Sequence, residues 1–306
     1  MTSREIPSAS WADSIAGYYL RFAATGAIPA KWYLPSLPPV EERASATGRL
    51  KLEIVSHCWN YAHLLTYQLS SLVSFAPTRL TVNMTVFYAE EDARTVSVLE
   101  YFGAMDVPGV IWNWQKLPRE QLFRRSIGRN KAALETTADW VWFTDCDLLF
   151  RENCLDVLSD ELQGRQDSLV FPRQERVTSM LADSDPMLDV DEKPRTIDIE
   201  ADRFAVSERG RATGPLQIVH GDIARATGYC DVLEYYQKPS EAFCKCYEDR
   251  AFRWLLRSDG VPLEVPGVYR LRHIHKGRYT GSTVSNRIRS AIRRTTSWLK
   301  ERGQKT

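Results

Sequence analysis

Residues 140–150 read Trp-Val-Trp-Phe-Thr-Asp-Cys-Asp-Leu-Leu-Phe and carry the most informative pattern in this chain. The first four residues are aromatic or β-branched and too few for a helix, which predicts a buried strand. Asp145 and Asp147 follow at the carboxyl end of that strand, where open α/β sheets bind ligands. Mg²⁺ or Mn²⁺ commonly joins one or two carboxylates to substrate phosphates. The stretch therefore predicts a metal–diphosphate site at a sheet edge.

The region around this stretch alternates between apolar runs and amphipathic segments. Strands are predicted at 52–56, 82–88, 110–114, 140–143, 216–219 and 267–274. Helices are predicted near 64–73, 93–102, 124–137 and after 248. Strands separated by helices of this length favour βαβ units and a mainly parallel sheet flanked by helices. Residues 174–213 are acidic with few apolar residues, and this composition predicts a long loop.

Composition excludes several classes of protein. The formal net charge is +1 and there is no nucleic-acid-binding motif, so nucleic acid is not an expected partner. No apolar run is long enough for a membrane span, and no secretory signal follows the N-terminus. The six cysteines contain no pair with usual zinc spacing, so reduced thiols in a cytoplasmic protein are the expectation.

Three segments are expected along the chain. Residues 1–48 form an N-terminal appendage broken by prolines, and 49–280 form the main domain, with halves at about 49–150 and 151–280. Residues 281–306 have apolar positions at helical spacing with arginines between them, which predicts a basic amphipathic helix. Such a helix suits the anionic inner face of a membrane, and residues 284–303 are the predicted contact. A solvated helix packed on the main domain is the alternative interpretation.

Several motifs, taken in order, resemble the glycosyltransferases of the GT-A fold, and family 2 of these enzymes in particular. The motifs are the opening strand and turn at 54–60, Gly-Arg-Asn-Lys-Ala-Ala at 128–133, Thr-Asp-Cys-Asp at 144–147, Glu-Asp-Arg at 248–250 and His-Ile-His at 273–275. The resemblance covers about residues 50–280 and implies a GT-A, Rossmann-like α/β fold. One departure is Ala-Glu-Glu-Asp at 89–92, where the family has an Asp-Asp-x-Ser turn.

The resemblance implies a nucleotide-sugar site, with a UDP-sugar favoured as the donor. The expected donor-binding residues are Ser56, Glu90, Arg125, Arg129, Asn130 and Asp145. Asp147 is the first choice for metal ligation, and Asp145 reaches the ribose or a metal-bound water. His275 or His273 is the expected third ligand, and imidazole suits Mn²⁺ better than Mg²⁺.

An inverting transferase also needs a general base that takes the acceptor proton. Asp249 is the candidate, with Glu248 second, although an acidic pair at a helix start also suits the helix dipole. His220, Gly221 and Asp222 form a turn that is expected to shape the acceptor pocket, while Asp222 alone also suits a helix N-cap.

The predicted function is a metal-dependent glycosyltransferase that transfers a sugar to a glycan or lipid-linked acceptor in cell-envelope polysaccharide or glycolipid synthesis. Three other functions stay open. A haloacid-dehalogenase-like phosphohydrolase also places Asp-x-Asp after a strand, although Leu149 stands where that class has Thr or Val. A nucleotidyltransferase also uses a divalent metal at a similar sheet, but it usually has a glycine-rich loop after its first strand. A non-catalytic sugar-binding module could use the same fold.

Overall fold

The computed structural model describes residues 11–182, 184–190, 193–241 and 247–273. The predicted C-terminal helix at 281–306, its membrane contact at 284–303 and His275 lie outside these ranges. The strands are β1 (Lys51–Cys58), β2 (Thr81–Tyr88), β3 (Val110–Lys116), β4 (Trp140–Phe143), β5 (Leu148–Phe150), β6 (Leu169–Pro172), β7 (Gln174–Thr178), β8 (Phe204–Glu208), β9 (Gln217–His220), β10 (Val261–Leu263) and β11 (Val268–Arg270).

Within the described ranges, one α-helix precedes β1, and the others lie in half of the connections between successive strands. The α-helices are α1 (Trp11–Phe22), α2 (Ala62–Ser74), α3 (Ala93–Gly103), α4 (Arg119–Leu122), α5 (Arg125–Glu135), α6 (Cys154–Leu162), α7 (Gly221–Thr227), α8 (Glu234–Gln237) and α9 (Glu248–Leu256). No helix among the described residues is both long and apolar enough to cross a membrane.

The main sheet has seven strands in the order β10-β6-β9-β4-β1-β2-β3. The pairs β4–β1, β1–β2, β2–β3 and β10–β6 are parallel. Only β9 runs against its neighbours β4 and β6 within the described sheet. The predicted mixed α/β architecture with a mainly parallel sheet is therefore confirmed.

The central strands are covered by helices on both faces, and this explains their unbroken apolar composition. Every residue of β4 is buried, and Trp140 and Trp142 are among the largest side chains of the core. On β1, His57 packs beneath Gly128 of α5, whereas Cys58 on the other face contacts Thr95 of α3. Side chains therefore alternate between the two helical layers, as a strand requires.

A second sheet has four strands in the order β5-β11-β7-β8, and its first strand in the chain, β5, directly follows the Asp145/Asp147 motif. The expectation of a long loop at 174–213 is wrong for part of that segment, because β7 and β8 form an antiparallel pair there. The sequence does not indicate these strands clearly, because each mixes polar and apolar residues and a long irregular segment separates them. Phe150 of β5 packs edge-on against Trp142 of β4, which joins the two sheets.

The N-terminal segment packs against α9, the helix that starts with the predicted catalytic pair. Arg250 donates to the carbonyl oxygen of Ala24 at 3.1 Å, and Trp254 donates to that of Ile28 at 2.8 Å. The appendage thus supports α9 from outside. Of the six cysteines, those within the described residues are free and buried (58, 146, 154 and 230).

Candidate functional site

The Asp145/Asp147 turn is held by hydrogen bonds from three separate elements. Leu148 N–H donates to the carbonyl oxygen of Asp145 at 3.1 Å, which closes the turn between β4 and β5. The amide of Gln68 in α2 donates to the carbonyl oxygens of both Asp145 and Leu148, at 3.0 and 2.9 Å. Leu271 N–H donates to the carbonyl oxygen of Asp147 at 2.9 Å. The backbone of the motif is therefore fixed, and its carboxylates project from a rigid edge.

Arg125 joins the Asp145 motif to the predicted base region. Its guanidinium donates through Nη1 to Oδ1 of Asp145 and through Nη2 to Oε1 of Glu248, the latter at 3.0 Å. The Arg125 side chain is 27% exposed, so part of this bridge faces solvent. Arg125 and Glu248 are 123 residues apart in the chain, and the fold brings them together at the carboxyl end of β4.

Arg129, the second arginine of α5, is a fully buried support for Asp145. Its guanidinium donates to Oδ1 of Asp145 at 3.3 Å, to the carbonyl oxygen of Thr144 at 3.2 Å and to the hydroxyl of Tyr229 at 2.9 Å. It also lies 5.2 Å from the centre of the Tyr229 ring. With its side chain 0% exposed, Arg129 is closed off from solvent and orients Asp145.

The two acids of the predicted catalytic pair, Glu248 and Asp249, differ in burial and in the arginines that they contact. Burial raises the pKa of the Glu248 carboxyl, but the guanidiniums of Arg125 and Arg129 outweigh burial and hold the pKa below its usual value. Asp249 is 31% exposed and has Arg253 Nη1 at 3.6 Å from its Oδ2. A Cβ placed on Gly214 would lie 3.8 Å from the Cβ of Asp249, so this chain segment forms one wall beside the carboxylate.

His57 is a buried residue of the site region to which the sequence alone assigns no role. Its ring stacks on Phe87 at 5.1 Å between centroids, and neither ring nitrogen has a hydrogen-bond partner among the described residues. A Cβ on Gly128 would lie 2.3 Å from Nε2, so the ring fills the space that Gly128 leaves open. Burial first, and then the charges of Arg129 and Arg125, lower the pKa of His57 well below its usual value. The ring is therefore neutral at pH 7.

The predicted metal ligands are only partly brought together. Asp147 is 8% exposed and His273 is 4% exposed, and both lie beside the Asp147–Leu271 backbone contact. His273 packs edge-on against Tyr61 at 5.4 Å. No cluster of three or more His, Cys, Asp or Glu side chains that could hold a metal occurs in the part of the chain that the structure describes. Two carboxylates at a fixed turn nevertheless suit a hard cation whose remaining ligands are substrate oxygens and water.

Of the other predicted donor-binding residues, Ser56 is next to the motif in the sheet, because Thr144 N–H donates to the carbonyl oxygen of Val55 at 3.0 Å, whereas Glu90 and Asn130 make other contacts. Ser56 faces the α3 side of the sheet, as alternation along β1 requires. Glu90 is exposed and pairs with Lys116 at the surface. Asn130 is buried and holds the turn after α7, because it accepts from Tyr229 N–H and donates to Asp231, both at 2.7 Å. The structure does not bring these three side chains together.

The predicted acceptor residues lie at the far end of β4. His220 pairs with Trp140 and Gln217 with Phe143, so the turn at 220–222 is about 16 Å from Asp145 by strand rise. Asp222 accepts from Ala44 N–H at 2.7 Å, and Nε2 of His220 is 3.0 Å from the Ala44 carbonyl oxygen. A Cβ on Gly221 would lie 2.2 Å from the Ala138 carbonyl oxygen. The contacts with Ala44 anchor the N-terminal appendage, and the turn lies at the opposite end of β4 from Asp145.

Solved structures with similar folds include two glycosyltransferases, whereas no protein-family model and no curated protein matches the chain. One is the mannosyltransferase PcManGT from Pyrobaculum calidifontis with GDP-Man and Mn²⁺, at 17% identity and a TM-score of 0.44, covering 94% of this chain and 75% of that one. The other is TarS 1-349 from S. aureus, at 13% identity. With UDP its TM-score is 0.44, covering 72% of this chain and 60% of that chain. With UDP-GlcNAc it is 0.43, covering 77% and 61%.

Proposed function

We propose that this chain is a metal-dependent glycosyltransferase of the GT-A type that uses a nucleotide-diphosphate sugar. The observation that carries the proposal is the bridge from Asp145 through Arg125 to Glu248. It brings the carboxylates after β4 and the acidic start of α9 to one edge of a mainly parallel sheet. A site for a diphosphate and a site for a proton acceptor therefore adjoin, as sugar transfer requires.

The leaving group of this reaction is a nucleoside diphosphate whose growing negative charge must be stabilised. Asp147 and Asp145, with His273 or His275 as the proposed third ligand, would hold Mn²⁺ or Mg²⁺, which would supply Lewis-acid stabilisation of that charge. Arg125, which pairs with Asp145 and Glu248, is partly exposed, and its planar guanidinium suits phosphate oxygens. Arg129 stays buried and keeps Asp145 oriented while Arg125 exchanges partners.

Proton removal from the acceptor hydroxyl falls to Asp249. Glu248 is buried and ion-paired with Arg125, whereas Asp249 is partly exposed and lies beside Gly214. A base must be reachable by the acceptor hydroxyl, and this requirement favours Asp249. A direct displacement assisted by this base would invert the anomeric centre. Glu248 would position Arg125.

The proposed donor is a UDP-sugar, and the proposed acceptor is a glycan or lipid-linked glycan of the cell envelope. The basic segment at 284–303 would hold the enzyme peripherally on an anionic membrane surface on the cytoplasmic side. A co-sedimentation assay with anionic vesicles, comparing the full chain with one truncated after residue 283, tests this point. Equal partition of both forms would contradict it.

The decisive experiment is a thermal-unfolding panel with UDP, GDP, CMP and ADP, each with Mn²⁺, Mg²⁺ or a chelator. A ligand at 100 times its Kd adds about 2.7 kcal/mol of apparent stability, which raises the melting temperature by several degrees. We expect one diphosphate to stabilise the protein with metal and to lose its effect with chelator. Asp147→Asn should abolish this shift and donor turnover, whereas Asp160→Asn, at a surface ion pair on α6, should change neither.

Product assays on the purified protein separate the other functions. Stable phosphorylation of Asp145 by a phosphoryl donor would indicate a phosphohydrolase. Metal-dependent pyrophosphate release from a nucleoside triphosphate would indicate a nucleotidyltransferase. Sugar binding without turnover would indicate a binding module. Unchanged donor turnover in Asp147→Asn would contradict the metal role proposed for this side chain.

A further inference from the structure

A second charged cluster lies on the four-stranded sheet, around the buried carboxylate of Glu175. The Glu175 side chain is 0% exposed, and its Oε1 accepts from Nη2 of both Arg209 and Arg270, the latter at 2.7 Å. Arg272 follows Arg270 by two residues, and the charges of Glu175, Arg209 and Arg270 act on its guanidinium. Burial lowers the pKa of Arg272, and the neighbouring charges of Arg270 and Arg209 lower it further. We name Glu175, Arg209, Arg270 and Arg272 the Glu175 cluster.

The Glu175 cluster has more positive charge and more hydrogen-bonding capacity than its own members use. Two guanidiniums donate to one carboxylate and the charge of a third, Arg272, acts on the same group, which leaves a formal charge of +2. Among the residues that the structure describes, Oε2 of Glu175, Nε of Arg209 and Nε of Arg270 are buried atoms with no hydrogen-bond partner. Buried polar atoms are nearly always paired. Two buried N–H donors inside an excess of positive charge can be satisfied by an anion.

The Glu175 cluster borders the proposed active site. Arg270 and Arg272 flank Leu271, whose N–H donates to the carbonyl oxygen of Asp147. Residues two apart on an extended segment point to the same side, so these two arginines share a face of the sheet. The Arg270 backbone lies opposite Leu148, the first residue after the motif.

The third arginine connects the Glu175 cluster to the proposed base. Arg209 follows β8 and begins the segment 209–214, which ends at Gly214 beside Asp249. The cluster thus adjoins the metal motif through β11 and the base through 209–214. It is separate from Arg125, the cation that adjoins the proposed donor site.

We propose that the Glu175 cluster is an anion subsite that binds a phosphate group of the acceptor. This inference rests on the proposed transferase function and narrows its acceptor to a phosphate-bearing glycan or lipid. A guanidinium offers two parallel donors to phosphate oxygens, and three guanidiniums can hold a phosphate dianion or a phosphodiester. A neutral glycan would gain nothing from this excess of charge, which costs free energy to keep partly buried.

The test uses the full chain with saturating nucleoside diphosphate and Mn²⁺, so that the donor site is filled. Inorganic phosphate and glycerol 3-phosphate are then titrated calorimetrically against wild type, Arg272→Gln and Arg176→Gln. Arg176 is the matched control, because it lies on the same sheet but stacks over Tyr269 on the other face, 5.9 Å from the ring centre. We expect Arg272→Gln to weaken both probes at least tenfold, and Arg176→Gln to change them less than twofold.

The source of the phosphate is distinguished by two further probes, a soluble polyol-phosphate oligomer and vesicles of phosphatidylglycerol compared with phosphatidylcholine. Loss of oligomer binding in Arg272→Gln supports a glycan acceptor, and loss of vesicle binding supports a lipid acceptor. Unchanged binding of every probe in Arg272→Gln would overturn the proposal. So would displacement of phosphate by the nucleoside diphosphate, since the cluster would then belong to the donor site. Failure of the nucleoside diphosphate to bind wild type would instead contradict the proposed function.

Discussion

Gly128 shows how one missing side chain shapes the site. A Cβ at this position would lie 2.3 Å from Nε2 of His57 and 2.9 Å from the Phe87 ring. Alanine would gain about 1 kcal/mol in helix propensity, but overpacking a filled space costs about 1–3 kcal/mol. We therefore expect Gly128→Ala to lower the free energy of unfolding in urea. Gly210→Ala is the control, because a Cβ there meets nothing within 4 Å. Equal stability of both variants would contradict the packing described here.

His57 should make stability depend on pH in a predictable direction. Its pKa in the folded chain lies well below the usual 6.5, so the unfolded chain binds the proton more readily. The contribution of His57 is therefore complete above about pH 6.5 and is lost as the pH falls below that value. His57→Asn removes the titrating group. We expect melting temperatures between about pH 7.5 and pH 5.5 to decline less steeply in the variant than in wild type.

The pKa of His220 is also lowered by burial, so part of the slope will remain in His57→Asn. The difference between the two melting curves isolates His57. Identical slopes for variant and wild type would show that the ring is accessible to protons in the folded chain, contrary to its burial between Phe87 and α5.

At the scale of single residues, the sequence predicts a site residue only where local context marks it. Asp145 and Asp147 are marked by the apolar strand before them. The contact of Arg125 with Glu248 spans 123 residues and has no local signal. The burial of Arg129 could not be read either, because a charged residue on an amphipathic helix is usually exposed.

At the scale of elements, continuous apolar runs were sufficient to predict the central strands. The predicted strand at 140–143 coincides with β4, and the predicted strands at 82–88 and 110–114 each fall within an observed strand, β2 and β3. The antiparallel insertion of β9 could not be predicted, because strand order depends on distant pairing and not on composition. β7 has no apolar run, and that of β8 is only three residues long, so both strands were missed.

The junction of β10 and β11 depends on Gly267. This residue has φ of +73°, and a Cβ would lie 1.7 Å from the carbonyl oxygen of Arg151 at the end of β5. Gly48 has a similar φ of +85° but meets nothing within 4 Å. Both alanine variants bear the backbone cost of about 1–2 kcal/mol. Gly267→Ala must also separate two backbones, so we expect it to be less stable by a further 1–3 kcal/mol, roughly, in urea unfolding.

The Gly267 contact also holds the second sheet together, since Arg151 N–H donates to the Gly267 carbonyl oxygen at 2.7 Å. Faster amide exchange in β11 should therefore accompany Gly267→Ala and be absent from Gly48→Ala. Equal destabilisation by the two substitutions would mean that backbone strain alone accounts for the effect.

At the scale of the whole molecule, the two ends of β4 contact different groups of residues. The carboxyl end presents Asp145 and Asp147 beside Arg125 and the start of α9. The amino end meets the 220–222 turn, which binds the N-terminal appendage through Ala44. Earlier residues of the same appendage, Ala24 and Ile28, accept hydrogen bonds from α9. The turn that anchors the appendage and the proposed donor site therefore lie at opposite ends of β4.

This separation predicts opposite outcomes for two aspartates. Asp222 accepts from Ala44 N–H and from Arg225, at 2.7 and 2.6 Å. Asp222→Ala should lower the free energy of unfolding by about 1–3 kcal/mol, as expected for lost charge-assisted hydrogen bonds, and leave nucleoside diphosphate affinity unchanged. Asp145→Asn should weaken that affinity at least tenfold when Mn²⁺ is present, because the proposed metal site loses a carboxylate charge. Both are measured by urea unfolding and nucleotide titration. Weakened acceptor use in a folded Asp222→Ala protein would support the acceptor role predicted for the 220–222 turn.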